Sequence, residues 1–328
     1  MLSLLLPSHS GPNLPSAPLS GSRWVTAWSF APVPVLTVVI SVTIYLYGVH
    51  RMRVAGNRWP LNRTFAFCWG MGLILLAIAS PLDTYDEVLL SVHMVQHMLL
   101  AMVAPIFLAL GAPVTLALRT LPAGGRRVLL SVVHSRVAQA LTFPVVAGAI
   151  FIANPFALYF SGYYEQTLRH PWLHDLNHLH FVLVGLLWYV PLLGIDPVRR
   201  RPEYPFRVIA AFMTLPFHAW LGVAIMSMNT LIAGDWYTAQ HRAWGASPLS
   251  DQRTAGGILW TSGDLFGLIV FAVLFVQWMH ASEREAKRVD RQLDRRDAEE
   301  ARRAALNEAL ARAATREAGA SPVAFPDA

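Results

Sequence analysis

Seven stretches of the chain are apolar almost without interruption: roughly Val33 to His50, Thr64 to Ser80, Ser91 to Leu110, Val137 to Ala153, Asn177 to Leu193, Arg207 to Ile232 and Thr254 to Met279. Each approaches or exceeds the ~20 residues that cross a ~30 Å hydrocarbon core at ~1.5 Å per residue. The runs are continuous rather than alternating, and in lipid the backbone must satisfy its own hydrogen bonds. The pattern therefore predicts an all-α polytopic membrane protein with seven transmembrane helices, not a barrel. Pro105, Pro144 and Pro216 fall inside the runs and predict kinks.

The polar positions between the runs alternate in kind. Arg51, Arg53, Arg58 and Arg63 lie in the first connection, Arg119, Arg126, Arg127 and Arg136 in the third, and Arg199, Arg200, Arg201 and Arg207 in the fifth. The even connections carry Asp83, Asp86 and Glu87, then Glu165 and Asp175 with Arg169, then Asp235 and Asp251 with Arg242 and Arg253. Short arginine-rich loops stay on the cytoplasmic side, so the N-terminus is expected outside and the C-terminus inside. The expected organisation is a proline-rich extracytoplasmic segment over residues 1–32, a seven-helix membrane domain over 33–280, and a charged, helical cytoplasmic tail over 281–328. Met1 to Leu6 is too short for a cleaved signal and has no basic flank. A bacterial-type cytoplasmic (plasma) membrane is the expected location, with the lipid bilayer as solvent.

Composition sharpens this division. The chain of 328 residues is 55% apolar and 14% charged, but from Ala281 onward ten basic and ten acidic residues crowd together. The first 280 residues are then only about 9% charged and carry the whole net charge of +6. That charge is a topology signal and gives no support to nucleic-acid binding. A single cysteine, Cys68, allows no intrachain disulfide and no CxxC site. Retinal chemistry needs a lysine in the last span, and the one lysine, Lys287, lies in the tail. No GxGxxG, Walker or GxSxG motif supports nucleotide use or serine hydrolysis.

Histidine is the informative residue. Of the twelve, seven fall at the outer end: His93 and His97, His170, His174, His178 and His180, and His241. The pairs His93/His97 and His174/His178 are spaced i, i+4, which sets two imidazoles on one helix face about 6 Å apart along the axis, close enough to share a metal ion. His180 points nearly opposite to His178, so both serve one site only if the helix unwinds. His218 in the sixth run and Asp264 in the seventh are intramembrane ionisable groups at similar depth, costly enough to be functional candidates. Met94, Met98 and Met102 form a stripe 100° around from the histidines. Such a stripe is ordinarily packing, but thioether sulfur would favour Cu(I), and Met94 and Met98 are carried as candidate ligands. Neutral imidazole suits copper, zinc, iron and nickel alike. Membrane di-iron enzymes use similar HxxxH spacing, but on the cytoplasmic side.

The run HMVQHMLLAMVAPIFLALGAPVTLALR from His93 to Arg119 resembles the seven-helix CtaG family of cytochrome c oxidase assembly proteins. HDLNHLHFVLVGLLWYVPLLGIDP (His174 to Pro197), LPFHAWLGVAIMSMNTLIAGDWY (Leu215 to Tyr237) and DQRTAGGILWTSGDLFGLIVF (Asp251 to Phe271) extend the likeness over about Val33 to His280. The resemblance implies a non-enzymatic assembly chaperone of the respiratory chain that binds copper and passes it to a haem-copper oxidase subunit. The positions it carries over are His93, His97, His174, His178, His180, His218 and Asp264. A haem-binding or metal-dependent membrane enzyme using the same histidines is the alternative, and a metal-free scaffold is a third.

Overall fold

A computed structural model describes residues 15, 17–28, 31–197 and 202–319. His9 and Arg199, Arg200 and Arg201, which entered the topology argument, lie outside the described residues. In chain order the helices are α1 (Arg23–Thr26), α2 (Pro32–Val54), α3 (Leu61–Ala79), α4 (Pro81–Tyr85), α5 (Leu90–Met98), α6 (Ala104–Leu110), α7 (Pro113–Thr120), α8 (Ala123–Val133), α9 (Arg136–Leu141), α10 (Pro144–Tyr159), α11 (Tyr163–Arg169), α12 (Pro171–Leu193), α13 (Tyr204–Ser227), α14 (Gly234–Ala239) and α15 (Pro248–Gly319). A π-helical turn, Leu99–Val103, joins α5 to α6. No strand occurs among the described residues.

Six helical segments are long and apolar enough to cross a membrane: α2, Leu61–Tyr85, Leu90–Thr120, α12, α13 and α15. α10 and α11 reach that length only together, with a 67° bend at the break between them, and make a seventh if counted as one span. The chain divides into two units, Met1–Leu274 and Phe275–Ala328. Within the second, α15 continues to Gly319, and its described side chains are almost all exposed.

Proline accounts for where the helices depart from the expected runs. The fourth run was expected to begin near Val137, but the helix restarts at Pro144 after Phe143, which is extended. Proline has no N–H to donate and pushes the preceding residue out of helical dihedrals, so Pro144 opens a helix instead of kinking one. Likewise Pro171 opens α12 behind an extended His170. The sixth span stops at Ser227, before an extended Met228, and not at Ile232. Pro216 sits inside α13, as do Pro155 inside α10 and Pro191 inside α12.

The π turn has the most consequence. Pro105 cannot donate to the Ala101 carbonyl, and the helix loosens into wider hydrogen bonding just ahead of it. Gly185 of α12 packs against this turn. A Cβ at Gly185 would run into the Ala101 carbonyl and would lie 2.5 Å from Pro105 Cγ. Only glycine allows this approach, which sets α12 beside the span that carries His93 and His97. A second close approach joins α13 to α15, where a Cβ on Gly222 would meet the Gly256 carbonyl at 2.6 Å.

The ends are tied by side chains. Ser91 donates to Asp251 through its hydroxyl (2.5 Å) and its backbone N–H (3.2 Å), which fixes the start of α5 to α15. The Asp196 carboxylate accepts from the Val114 and Thr115 N–H groups at 3.2 and 2.7 Å, satisfying the start of α7.

Gly185→Ala is expected to cost about 1–3 kcal/mol by overpacking, seen as a lower Tm in detergent. Gly72→Ala, with nothing within 4 Å of the added methyl, is the matched control and should leave Tm at or above the wild-type value.

Candidate metal centre

Asp86 is in the short turn between α4 and α5 and is completely buried. Its Oδ2 accepts a hydrogen bond from His174 Nε2 at 2.7 Å and lies 3.7 Å from His178 Nε2 and 3.9 Å from His93 Nδ1. Two turns of α12 supply His174 and His178, whose rings meet edge to face at 4.5 Å. The first turn of α5 supplies His93. One carboxylate thus draws imidazoles from two spans that are about 80 residues apart in sequence. Ligand atoms of Asp86, His174 and His178 all lie within 4.8 Å of one another, a spacing that one ion could bridge.

The polar accounting points the same way. Neither nitrogen of His93 has a hydrogen-bond partner, although the side chain is fully buried; Asp86 Oδ1 and His174 Nδ1 are also unpartnered. Buried polar atoms are rarely left so, and a metal ion held here would give several of them a partner at once. Gln96 orients His178. Its amide N–H donates to the Ala77 carbonyl at 3.0 Å, so its Oε1 accepts from His178 Nε2, also at 3.0 Å. His174 and His178 therefore both present N–H groups toward this carboxylate region, and an ion binding there would displace protons.

Burial by itself would raise the Asp86 carboxyl, but the adjacent His174, with its charge and its hydrogen bond, holds it well below the usual carboxylate range, and the nearby His178 and His93 rings act in the same direction. Glu87 behaves oppositely: burial and then the neighbouring Asp86 charge push it up to about 7. Of these two neighbouring acids, Asp86 is therefore the stronger and Glu87 the weaker.

The remaining candidates are placed apart. His97 follows His93 by one turn, but its Nδ1 lies 2.9 Å from the Tyr159 hydroxyl, and Phe181 stacks on its ring at 4.2 Å. The same hydroxyl donates to Met94 Sδ at 3.6 Å, so Met94 sulfur is directed at Tyr159. Met98 is buried and outside the Asp86 group. His180 is on another face of α12, bonded to Asn154 at 2.6 Å. His218 is buried against Phe151, with Nδ1 3.3 Å from the Thr214 carbonyl. Asp264 accepts from Trp260 Nε1 at 2.8 Å. The i, i+4 spacing found His93, His174 and His178 but passed over Asp86, which read as one acid among several in an outer loop, and Gln96.

A cover lies over the centre. Trp236 and Gln240 both donate to the Glu87 carbonyl at 2.8 Å, and the Tyr237 and Tyr164 hydroxyls meet at 2.8 Å, with Tyr164 4.8 Å from His93. Trp244 donates to the Pro15 carbonyl at 3.2 Å.

A helical membrane bundle with a buried carboxylate–histidine cluster near one end defines a polytopic membrane protein with a candidate metal centre. The chain belongs to the family described as cytochrome c oxidase caa3 assembly factor (Caa3_CtaG), whose model matches residues 43–281. It is also 36% identical over 291 residues to uncharacterized proteins of Mycobacterium bovis and Mycobacterium tuberculosis, covering 87% of this chain and 44% of theirs. A third, from Mycobacterium leprae, is 36% identical over 279 residues, 83% of this chain and 42% of its own. The chain spans less than half the length of these curated relatives. No solved structure matches.

Asp86→Asn removes the charge the histidines surround and is expected to cost about 3 kcal/mol of stability in the metal-free protein, measured by denaturation in detergent. Glu87 gives a pH signature. Between its ordinary value of 4.5 and about 7 the folded state holds a proton that the unfolded chain releases, so its contribution to stability falls as pH rises through that window and is flat above it. The Tm difference between wild type and Glu87→Gln should shift across that window and then level off; a difference independent of pH would contradict it.

Proposed function

We propose that this protein is a non-enzymatic assembly factor for a cytochrome c oxidase, holding a copper ion at Asp86, His93, His174 and His178 and passing it to an oxidase subunit. The observation that carries the reading is the convergence of Asp86, His174 and His178 within 4.8 Å, beside a buried His93 whose two nitrogens have no partner. Family membership supplies the oxidase, and the imidazole and carboxylate donors form a set that copper accepts, as zinc, iron and nickel also do. Three imidazoles and a carboxylate, with no sulfur among them, favour Cu(II) over the Cu(I) that the methionine stripe had implied. On the topology read from the arginines, the centre lies at the extracytoplasmic end of a bacterial plasma membrane, where an ion reaches an oxidase without crossing lipid.

Elemental analysis of purified protein after copper-replete expression tests this reading. Wild type should carry copper, His174→Ala/His178→Ala should carry almost none, and His93→Ala should carry less than wild type. Single changes at His97, Met94, Met98, His218 or Asp264 should retain it. Copper absent from wild type favours a metal-free scaffold, and a Soret band would favour the haem reading. The orientation has its own check. A cysteine replacing Trp172, 57% exposed at the start of α12, should react with an impermeant thiol reagent on intact cells in a Cys68→Ala background. Labelling only after permeabilisation would overturn it.

A further inference from the structure

The chain turns from α2 into α3 around Trp59, whose indole is buried although it lies between two spans. Polar contacts hold it from within. Trp59 Nε1 donates to the Tyr45 hydroxyl at 3.2 Å, that hydroxyl donates to the Gly111 carbonyl at 2.7 Å, and the Tyr45 and Phe67 rings stack at 3.9 Å. α7 packs on the same corner, where a Cβ on Gly48 would lie 3.2 Å from Leu116 Cγ. The indole is therefore a fixed platform, and an amphipathic ring of this kind belongs at the level of the lipid headgroups.

Two guanidinium groups sit over that ring. Arg63 comes from the first turn of α3 with Cζ 5.1 Å from the ring centroid, and Arg119 from the last turn of α7 with Cζ 6.0 Å from it. The indole attracts each cation, yet sharing one ring draws two like charges together. No acid in either connection offsets them: residues 1–82 and 88–164 contain no Asp or Glu, so the eight arginines of the first and third connections have none beside them in sequence. Asp196 lines one cavity with Arg119, but its carboxylate is taken by the Val114 and Thr115 N–H groups and the Thr115 hydroxyl. Among the described residues, neither guanidinium has a hydrogen-bond acceptor or an ion-pair partner.

A guanidinium carries five N–H donors in a planar fork that matches two phosphate oxygens. We propose that Arg63 and Arg119, seated on Trp59, form a site for the phosphate of an anionic phospholipid. The bilayer is the source because Val54, Leu61 and Phe65, at the facing ends of α2 and α3, are exposed apolar side chains. An acyl chain covers such a surface, and dissolved phosphate does not. One headgroup offsets both charges and clasps the ends of the first three spans, the third of which carries His93. The site makes no use of the metal centre and stands whether or not copper binds there.

The test separates a built site from diffuse positive charge. Full-length protein in detergent is titrated with phosphatidylglycerol, with phosphatidylcholine and with inorganic phosphate, and bound lipid is counted by native mass spectrometry beside a thermal melt. Wild type should retain phosphatidylglycerol and gain Tm from it, with no comparable gain from the other two. Arg63→Gln/Arg119→Gln should bind phosphatidylglycerol roughly tenfold more weakly or worse, as expected for two cations lost from a headgroup. Arg126→Gln/Arg127→Gln removes the same charge from the third connection and should bind as wild type does. Equal loss in the two double variants, or wild-type affinity in both, overturns the site. An equal gain from phosphatidylcholine overturns it as well, and an equal gain from inorganic phosphate overturns the lipid as its ligand. If Arg63→Gln/Arg119→Gln fails to fold, Arg119→Lys, which keeps the charge and loses the fork, should still weaken phosphatidylglycerol binding; unchanged affinity there counts against the site.

Discussion

A carboxylate with no access to water has to be surrounded, and at the Asp86 end of this bundle much of the architecture is what surrounds it. His174 and His178 come from α12, His93 from α5, and Glu87 next to it is made a weaker acid by burial and by the Asp86 charge. Removing such a carboxylate from water costs several kcal/mol, and attraction to histidines returns that only with close contacts and satisfied lone pairs. The contacts are close on Oδ2 and missing on Oδ1. That asymmetry, together with the two unpaired nitrogens of His93, marks the centre as built for something more than holding helices together.

Placing those groups depends on backbone features well below them. α12 can lie against the third span because Gly185 has no side chain where it meets the Ala101 carbonyl, and that carbonyl faces it because the helix widens into a π turn ahead of Pro105. A helix with ideal geometry through Leu99–Val103 would present its next turns at a different angle, and the histidines of the two spans would no longer share a register. The outer cover depends in turn on hydrogen bonds from Trp236 and Gln240 to one carbonyl, so loop, turn and span act as one polar assembly over an apolar bundle.

Much of the fold was legible in the chain because membrane helices announce themselves through composition: an apolar run long enough to cross lipid has few other stable forms. The helical tail followed from local chemistry alone. The fourth span was less legible, because Pro144 and the residues around Gly162 divide it into pieces that an apolar average runs together. Of the candidate ligands, the i, i+4 rule brought forward His93 and His97 as a pair, yet only His93 joins the Asp86 cluster. Phe181 and Tyr159 claim the other ring.

By itself the sequence determined the class of structure, the positions of most spans, and the concentration of histidine near one end, since hydropathy and helical periodicity are properties of neighbouring residues. Only the tertiary structure decided that Asp86 is the centre of the cluster, that the Met94 sulfur meets the Tyr159 hydroxyl, and that His180 opens on a separate pocket. Those outcomes depend on how far one helix is rotated against another. In lipid that rotation is settled by a glycine contact, a loosened turn and a few buried hydrogen bonds, none of which leaves a periodic trace in the chain.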